Sequence, residues 1–113
     1  MPEADVFDVI QVDLDKGFEG VFSAESGFVH VDSTEPSPDG TTAVAWQYHA
    51  VHDGEFLGLA PTRQSLVIEG VTLASQGPDG WQLRRYIDWL GVAAQLGMTL
   101  SGRPVVSGDL PTD

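Results

Sequence analysis

Cysteine is absent from this chain of 113 residues, and basic side chains are few. Without cysteine the chain can form no disulfide, no thiolate metal site and no thiolate nucleophile. Five Lys and Arg residues stand against 17 Asp and Glu residues, which gives a net charge of −12. Because nucleic acids and anionic membranes are bound through clustered Lys and Arg side chains, this balance argues against both as partners.

Long apolar runs and the common cofactor fingerprints are also missing. No stretch is long enough to cross a bilayer and no basic-then-apolar leader opens the sequence, so we expect a cytoplasmic protein. The P-loop, G-x-G-x-x-G and G-x-S-x-G patterns do not occur. The length predicts a single domain over residues 1–113 with one hydrophobic core.

The three histidines are the remaining candidates for a metal site. His49 and His52 are three residues apart on a predicted strand, where they point to opposite faces and cannot converge on one ion. His30 alone is left. We therefore expect no metal.

Period-2 alternation of apolar and polar residues predicts an antiparallel meander. Gly70, in the middle of the third strand, predicts a bulge or bend there. Residues 23–27 are expected to form a loop. The predicted strands cover residues 28–34, 41–52, 63–75 and 81–88.

The two ends of the chain are less regular than its middle. Within a poorly defined N-terminal segment, residues 1–27, the stretch 6–15 fits one face of a helix and also the alternation of a strand. Periodicity leaves that choice open. Residues 98–113 are predicted to form a tail, whose apolar piece at 104–106 could dock as an extra edge segment.

Asp88 lies where the strand pattern gives way to helical spacing over residues 89–96, ahead of a terminating Gly97. Two interpretations of Asp88 are open. Its carboxylate caps the helix by accepting hydrogen bonds from the Leu90 or Gly91 N–H groups. Alternatively, it lines a pocket as a proton-transfer group.

The aromatic side chains also allow two interpretations. They are either part of the core or the wall of a cavity for a planar, hydrophobic ligand. Those on the predicted strands and at the helix start are Trp46, Tyr48, Trp81, Tyr86 and Trp89.

Two motifs give the sequence a resemblance to a known family. Residues 52–62 read H-D-G-E-F-L-G-L-A-P-T, and residues 88–97 read D-W-L-G-V-A-A-Q-L-G. In this order and separation they resemble the SnoaL-like polyketide (ester) cyclase family of the nuclear transport factor 2-like superfamily. The similarity covers residues 41–97, about half of the chain.

The resemblance implies an α+β fold in which a curved antiparallel sheet forms a cone-like α+β barrel around a hydrophobic pocket, usually in a homodimer. It implies cofactor-independent ring closure of aldol type, as in secondary metabolism, with the acid/base aspartate at Asp88. Two departures stand against this. The preceding strand carries Thr72 and Ala74 where the family has its histidine, and the N-terminal helical part is shortened.

Three functional hypotheses follow. The first is a SnoaL-like cyclase or isomerase acting on a hydrophobic, polyketide-like carbonyl compound, and the second is a non-catalytic ligand-binding or dimerisation module. The third is epoxide hydrolysis, which needs an Asp-Arg-Asp arrangement of which Arg84 and Asp88 give only a hint. For the first, the catalytic candidates are Asp88, Tyr86 and His49. The substrate-binding candidates are Arg84, Trp46, Tyr48, Trp81, Trp89 and Phe56.

Overall fold

A computed structural model describes residues 5–98, which form an α+β fold of two helices and one sheet. The sheet is antiparallel, curved and unclosed, and its four strands follow one another across it in sequence order. The α+β prediction is thereby confirmed. No helix within the described residues is long and apolar enough to cross a membrane. The elements are α1 (Val6–Phe18), β1 (Phe22–Ser33), β2 (Thr41–His52), β3 (Ser65–Gly77), β4 (Gly80–Ile87) and α2 (Trp89–Gln95).

The N-terminal segment is a helix, so the choice that periodicity left open is settled. Asp5 caps α1, because its carboxylate accepts a hydrogen bond of 2.9 Å from the Phe7 N–H. Ile10, Leu14 and Phe18 follow one another at intervals of four residues and are all buried. The helix extends beyond the predicted stretch 6–15 and ends at Phe18.

Strand β1 begins earlier than predicted and includes the stretch 23–27 that was expected to be a loop. Its pairing with β2 is irregular between Ala24 and Gly27 and again between His30 and Asp32. Each irregularity shifts the alternation of faces along the strand. This explains why the sequence of β1 shows no clean period of two.

Strands β2 and β3 pair without interruption from Thr41–Ser75 to Val51–Ser65. On the face covered by α1, the side chains of Val44, Trp46 and Tyr48 are buried. The opposite face carries residues such as Gln47 and His49, which are only partly buried. We call this second surface the helix-free face. It is the side of the sheet to which Glu69 and Tyr86 belong.

Gly70 sits in regular pairing on both sides, so the predicted bulge is not there. The residue is glycine for another reason. A Cβ at Gly70 would lie 2.6 Å from Cζ2 of Trp46 and 2.5 Å from the Tyr86 carbonyl oxygen. Its absence lets the Trp46 indole lie across β3, where Nε1 donates a hydrogen bond of 2.8 Å to Oγ1 of Thr72.

Tyr48 connects the sheet to α1 through a hydrogen bond, and this contact predicts that the protein loses stability at alkaline pH. Its hydroxyl donates a hydrogen bond of 2.5 Å to Oδ1 of Asp15. Burial raises the pKa of Tyr48 far above its usual value, and the Asp15 carboxylate adds to the shift. Because the folded-state pKa is the higher one, the stabilisation is complete below pH about 10 and is lost as the pH rises further.

Tyr48→Phe is therefore expected to lower the free energy of unfolding by about 1 kcal/mol at neutral pH. The variant should also lose less stability than the wild type when the pH is raised from neutral to about 11. Urea unfolding at the two pH values measures both effects. Equal alkaline losses in the two proteins would contradict the assignment.

Candidate functional site

A groove of about 490 Å³ crosses the helix-free face and brings Tyr86 and Asp88 together. All four strands contribute to it, because they lie side by side in one sheet. Tyr86 is 53% exposed, so its ring is open to a ligand. Apolar walls are formed by Val31, Ala45 and Val71, and the polar side chains are Gln47, Glu69, Tyr86 and Asp88. Ile87 borders the groove from the other side of the sheet.

Asp88 caps α2, as one of its two interpretations predicted. Its Oδ1 accepts a hydrogen bond of 2.9 Å from the Gly91 N–H. A Cβ at Gly91 would lie 2.5 Å from the other oxygen, Oδ2, so glycine leaves room for the carboxylate over the first turn. The side chain is nevertheless exposed and borders the groove. Capping and access to a ligand are therefore both present at this residue.

Gln95 explains how α2 is held on the sheet. Strand β4 pairs with β3 only from Gly70 to Gly77, so the backbone of Val67 lies beyond the last residue pair. The Gln95 amide takes the place of a strand there: Oε1 accepts from the Val67 N–H at 2.9 Å, and Nε2 donates to the Val67 carbonyl at 2.7 Å. Asp88, Gly91 and Gln95 of the second motif thus all have structural roles.

The first motif closes the connection between β2 and β3. His52 is fully buried, and its Nδ1 accepts a hydrogen bond of 3.1 Å from the Thr62 N–H. This bond assigns the ring proton to Nε2, which is buried without a hydrogen-bond partner in residues 5–98. Gly54 packs against the Gly20 backbone, at a distance that leaves no space for a side chain. The loop is built by these residues, and they do not line the groove.

The predicted aromatic set is divided between the two sides of the sheet. Trp46 and Tyr48 are buried on the side of α1, although Trp46 also borders the base of the groove. Trp89 is 42% exposed and stacks on Phe56, with ring centroids 5.6 Å apart. Trp81 is partly buried at the start of β4. Most of the set is therefore core or supports α2.

The two remaining candidates lie outside the groove. Nε2 of His49 is 3.2 Å from Oε1 of Gln47, whose Nε2 donates to Oε2 of Glu69 at 3.2 Å. His49 thus reaches the groove only through Gln47. Arg84 lines a different groove of about 550 Å³, together with Asp39. There, hydrogen bonds from the Ser37 hydroxyl and the Thr41 N–H lower the pKa of Asp39.

Glu69 and Gln47 are site residues that the sequence reasoning did not select. Both line the groove, and Glu69 places a second carboxylate in it beside Asp88. A signal was available, because Glu69 is the one charged residue in the sequence of β3. A charge in an otherwise uncharged strand indicates a position that faces water or a polar ligand.

Comparison with known proteins adds no relative: no protein-family model, no curated protein and no solved structure matches this chain. The resemblance to the SnoaL-like family therefore rests on the two motifs alone.

Proposed function

We propose that the protein binds a hydrophobic small molecule in the groove on the helix-free face, as a non-catalytic module that resembles the SnoaL-like family. The observation that supports this is the composition of the groove. Apolar side chains from β1, β2 and β3 form its walls, and the side chains of Glu69, Tyr86 and Asp88 are available to orient a ligand. Ligand sites commonly combine an apolar lining with a few well-placed polar groups.

Binding can be tested with prodan, a neutral naphthyl ketone whose fluorescence shifts to the blue in apolar surroundings. We expect the shift with the wild-type protein and affinity at least about fivefold weaker with Tyr86→Ala, which removes the exposed ring from the groove. Leu90→Ala is the matched control, since Leu90 is 69% exposed on α2 and does not line the groove. A shift that is unchanged by Tyr86→Ala would reject this groove as the site.

The second candidate is the chemistry that the resemblance implies, namely cofactor-independent ring closure or isomerisation of a carbonyl compound. It is favoured by the placement of Asp88 and Tyr86 in one groove, with only Oδ1 of Asp88 engaged in the cap. Asp88 would accept a proton from the carbon beside the carbonyl, and the Tyr86 hydroxyl would donate a hydrogen bond to the enolate oxygen. The proton would return to the product once the new bond has formed.

Asp88→Asn separates this chemistry from the cap. Asn caps a helix about as well as Asp, so the melting temperature should be nearly unchanged, whereas Asp88→Ala should cost about 1 kcal/mol. Deuterium exchange at the carbon beside the carbonyl of prodan, followed by NMR in D2O, reports proton abstraction directly. We expect an acid/base enzyme to accelerate this exchange and Asp88→Asn to abolish the acceleration. A wild-type rate equal to that of buffer would reject the chemistry and leave the binding function in place.

Epoxide hydrolysis is not proposed for this protein, because Arg84 and Asp88 line different grooves.

A homodimer is still a proposal. The helix-free face includes exposed apolar side chains such as Val31, 56% exposed, that a second copy could cover. A stable dimer would bury about 1,000 Å² or more. A monomeric mass by light scattering would exclude it, and a copy seated over the groove would compete with the ligand.

A further inference from the structure

The groove offers a ligand mainly hydrogen-bond acceptors. The amide of Gln47 is engaged at both ends, with its nitrogen directed at Glu69 and its oxygen at His49. Each carboxylate has one oxygen in a protein hydrogen bond, Oε2 in Glu69 and Oδ1 in Asp88. The other oxygen of each is available as an acceptor. The Tyr86 hydroxyl is the main donor that remains for a ligand.

Neither carboxylate of the groove forms an ion pair with a protein cation within residues 5–98. Among the described residues, no Lys, Arg or His lines the groove. Arg84 belongs to the other groove, and Arg85 pairs with Asp13 on the opposite side of the sheet, at 3.1 Å. A ligand that bears an anion would therefore meet two carboxylates with no cation to offset them. A ligand that bears a cation would complement them.

We propose that the ligand of this groove is an organic cation, an amine carried on a flat hydrophobic body. This rests on the proposed binding function and adds the chemical class of the ligand. The ammonium group would lie between Glu69 and Asp88, and the hydrophobic body would lie against Val71 and Ala45. The Tyr86 ring, open to the groove, adds the attraction of an aromatic face for a cation.

A bare metal ion fits the groove less well than an amine does. Metal ions require several converging ligands, and no group of three His, Cys, Asp or Glu side chains in residues 5–98 could hold one. An alkylammonium group needs only acceptors for its N–H bonds and apolar contacts for its carbon atoms. The groove supplies both.

The test uses three naphthalene probes of nearly equal size that differ in charge: naphthylmethylammonium, naphthylmethanol and naphthoate. Their affinities for the full chain are measured by isothermal titration calorimetry at low and at physiological salt. We expect the cation to bind about tenfold more tightly than the alcohol, and the carboxylate to bind more weakly than either. The advantage of the cation should shrink as salt is added, because the groove is open to solvent.

Two conservative variants locate the effect. Glu69→Gln and Asp88→Asn keep the hydrogen bonds to Gln47 and Gly91, and each should weaken binding of the cation about two- to fivefold. Neither should change binding of the alcohol. Glu35→Gln is the matched control, because it removes an exposed carboxylate that lies outside the groove.

The possible results are distinct. Equal affinities for the cation and the alcohol would overturn the inference while the binding function stands. So would an effect of Glu35→Gln as large as that of Glu69→Gln, since the preference would then come from the overall charge. Binding of none of the three probes would overturn the inference and the proposed function together.

Discussion

Gly70→Ala is expected to lower the free energy of unfolding by about 3 kcal/mol. The added Cβ would lie 2.5 Å from the Tyr86 carbonyl oxygen and 2.6 Å from Cζ2 of Trp46. Neither neighbour can yield easily. The first belongs to the backbone of β4, and the second to an indole that is 1% exposed and bonded to Thr72.

Urea unfolding of the wild type and the variant measures this loss. Gly77→Ala is the matched control at the end of the same strand, where the nearest atom to an added Cβ would be 3.5 Å away. Its stability should stay within about 0.5 kcal/mol of the wild type. A similarly small change for Gly70→Ala would mean that the indole does not lie across β3 as described.

Gly54→Ala is expected to be about as severe, with a loss of about 3 kcal/mol or failure to fold. All three of the nearest atoms belong to the backbone of Gly20 and Val21, and the Gly20 carbonyl oxygen would be 1.7 Å from the added Cβ. Relief would require moving the loop, which would break the bonds that Asp53 and Gly54 donate to the Val21 carbonyl.

Gly58→Ala is the control for this second change, because Gly58 belongs to the same loop and the same motif. An added Cβ there would meet nothing within 4 Å, but the residue has a φ of 84°. The loss of stability should therefore come only from the strain of an alanine backbone at positive φ, about 1 kcal/mol. Thermal or urea unfolding of the two variants side by side would show the difference. Equal losses would contradict a packing role for Gly54.

Gly54 and Gly91, one in each motif, bear on what the family resemblance means. Gly54, His52 and Thr62 of the first motif build a loop, and Gly91 and Gln95 of the second attach α2 to the edge of β3. Residues that make such structural contacts indicate a fold, and proteins with one fold can have many different functions. The motifs therefore support the architecture more directly than they support catalysis.

The sequence predicted the fold from β2 to α2 well and the part before β2 poorly. β2 was placed at its observed bounds, and β3 and β4 within about two residues, because each has an unbroken period of two. The start of β1 was missed because its two irregularities disturb that period. The apolar piece predicted at 104–106 lies outside the described residues.

By itself the sequence determined which residues share a face within one strand. Alternation placed Tyr86 with Asp88, and Trp46 with Tyr48, and both groupings hold in the structure. Alternation could not determine which face of β2 lies on the same side as a given face of β4. That depends on the register between strands, which long-range pairing sets.

Only the tertiary structure decided which faces of β2 and β4 lie on the same side of the sheet. Trp46 pairs with Gly70, and Gly70 with Ile87, so Trp46 shares a side with Ile87 and α1, while Tyr86 projects to the helix-free face. Trp46 and Tyr48 fill the core beneath α1, where Trp46 also borders the base of the groove, and Glu69 lines the groove from the helix-free face. The alternation within a strand divides its residues between two faces. Packing against α1 determines which of the two faces is buried.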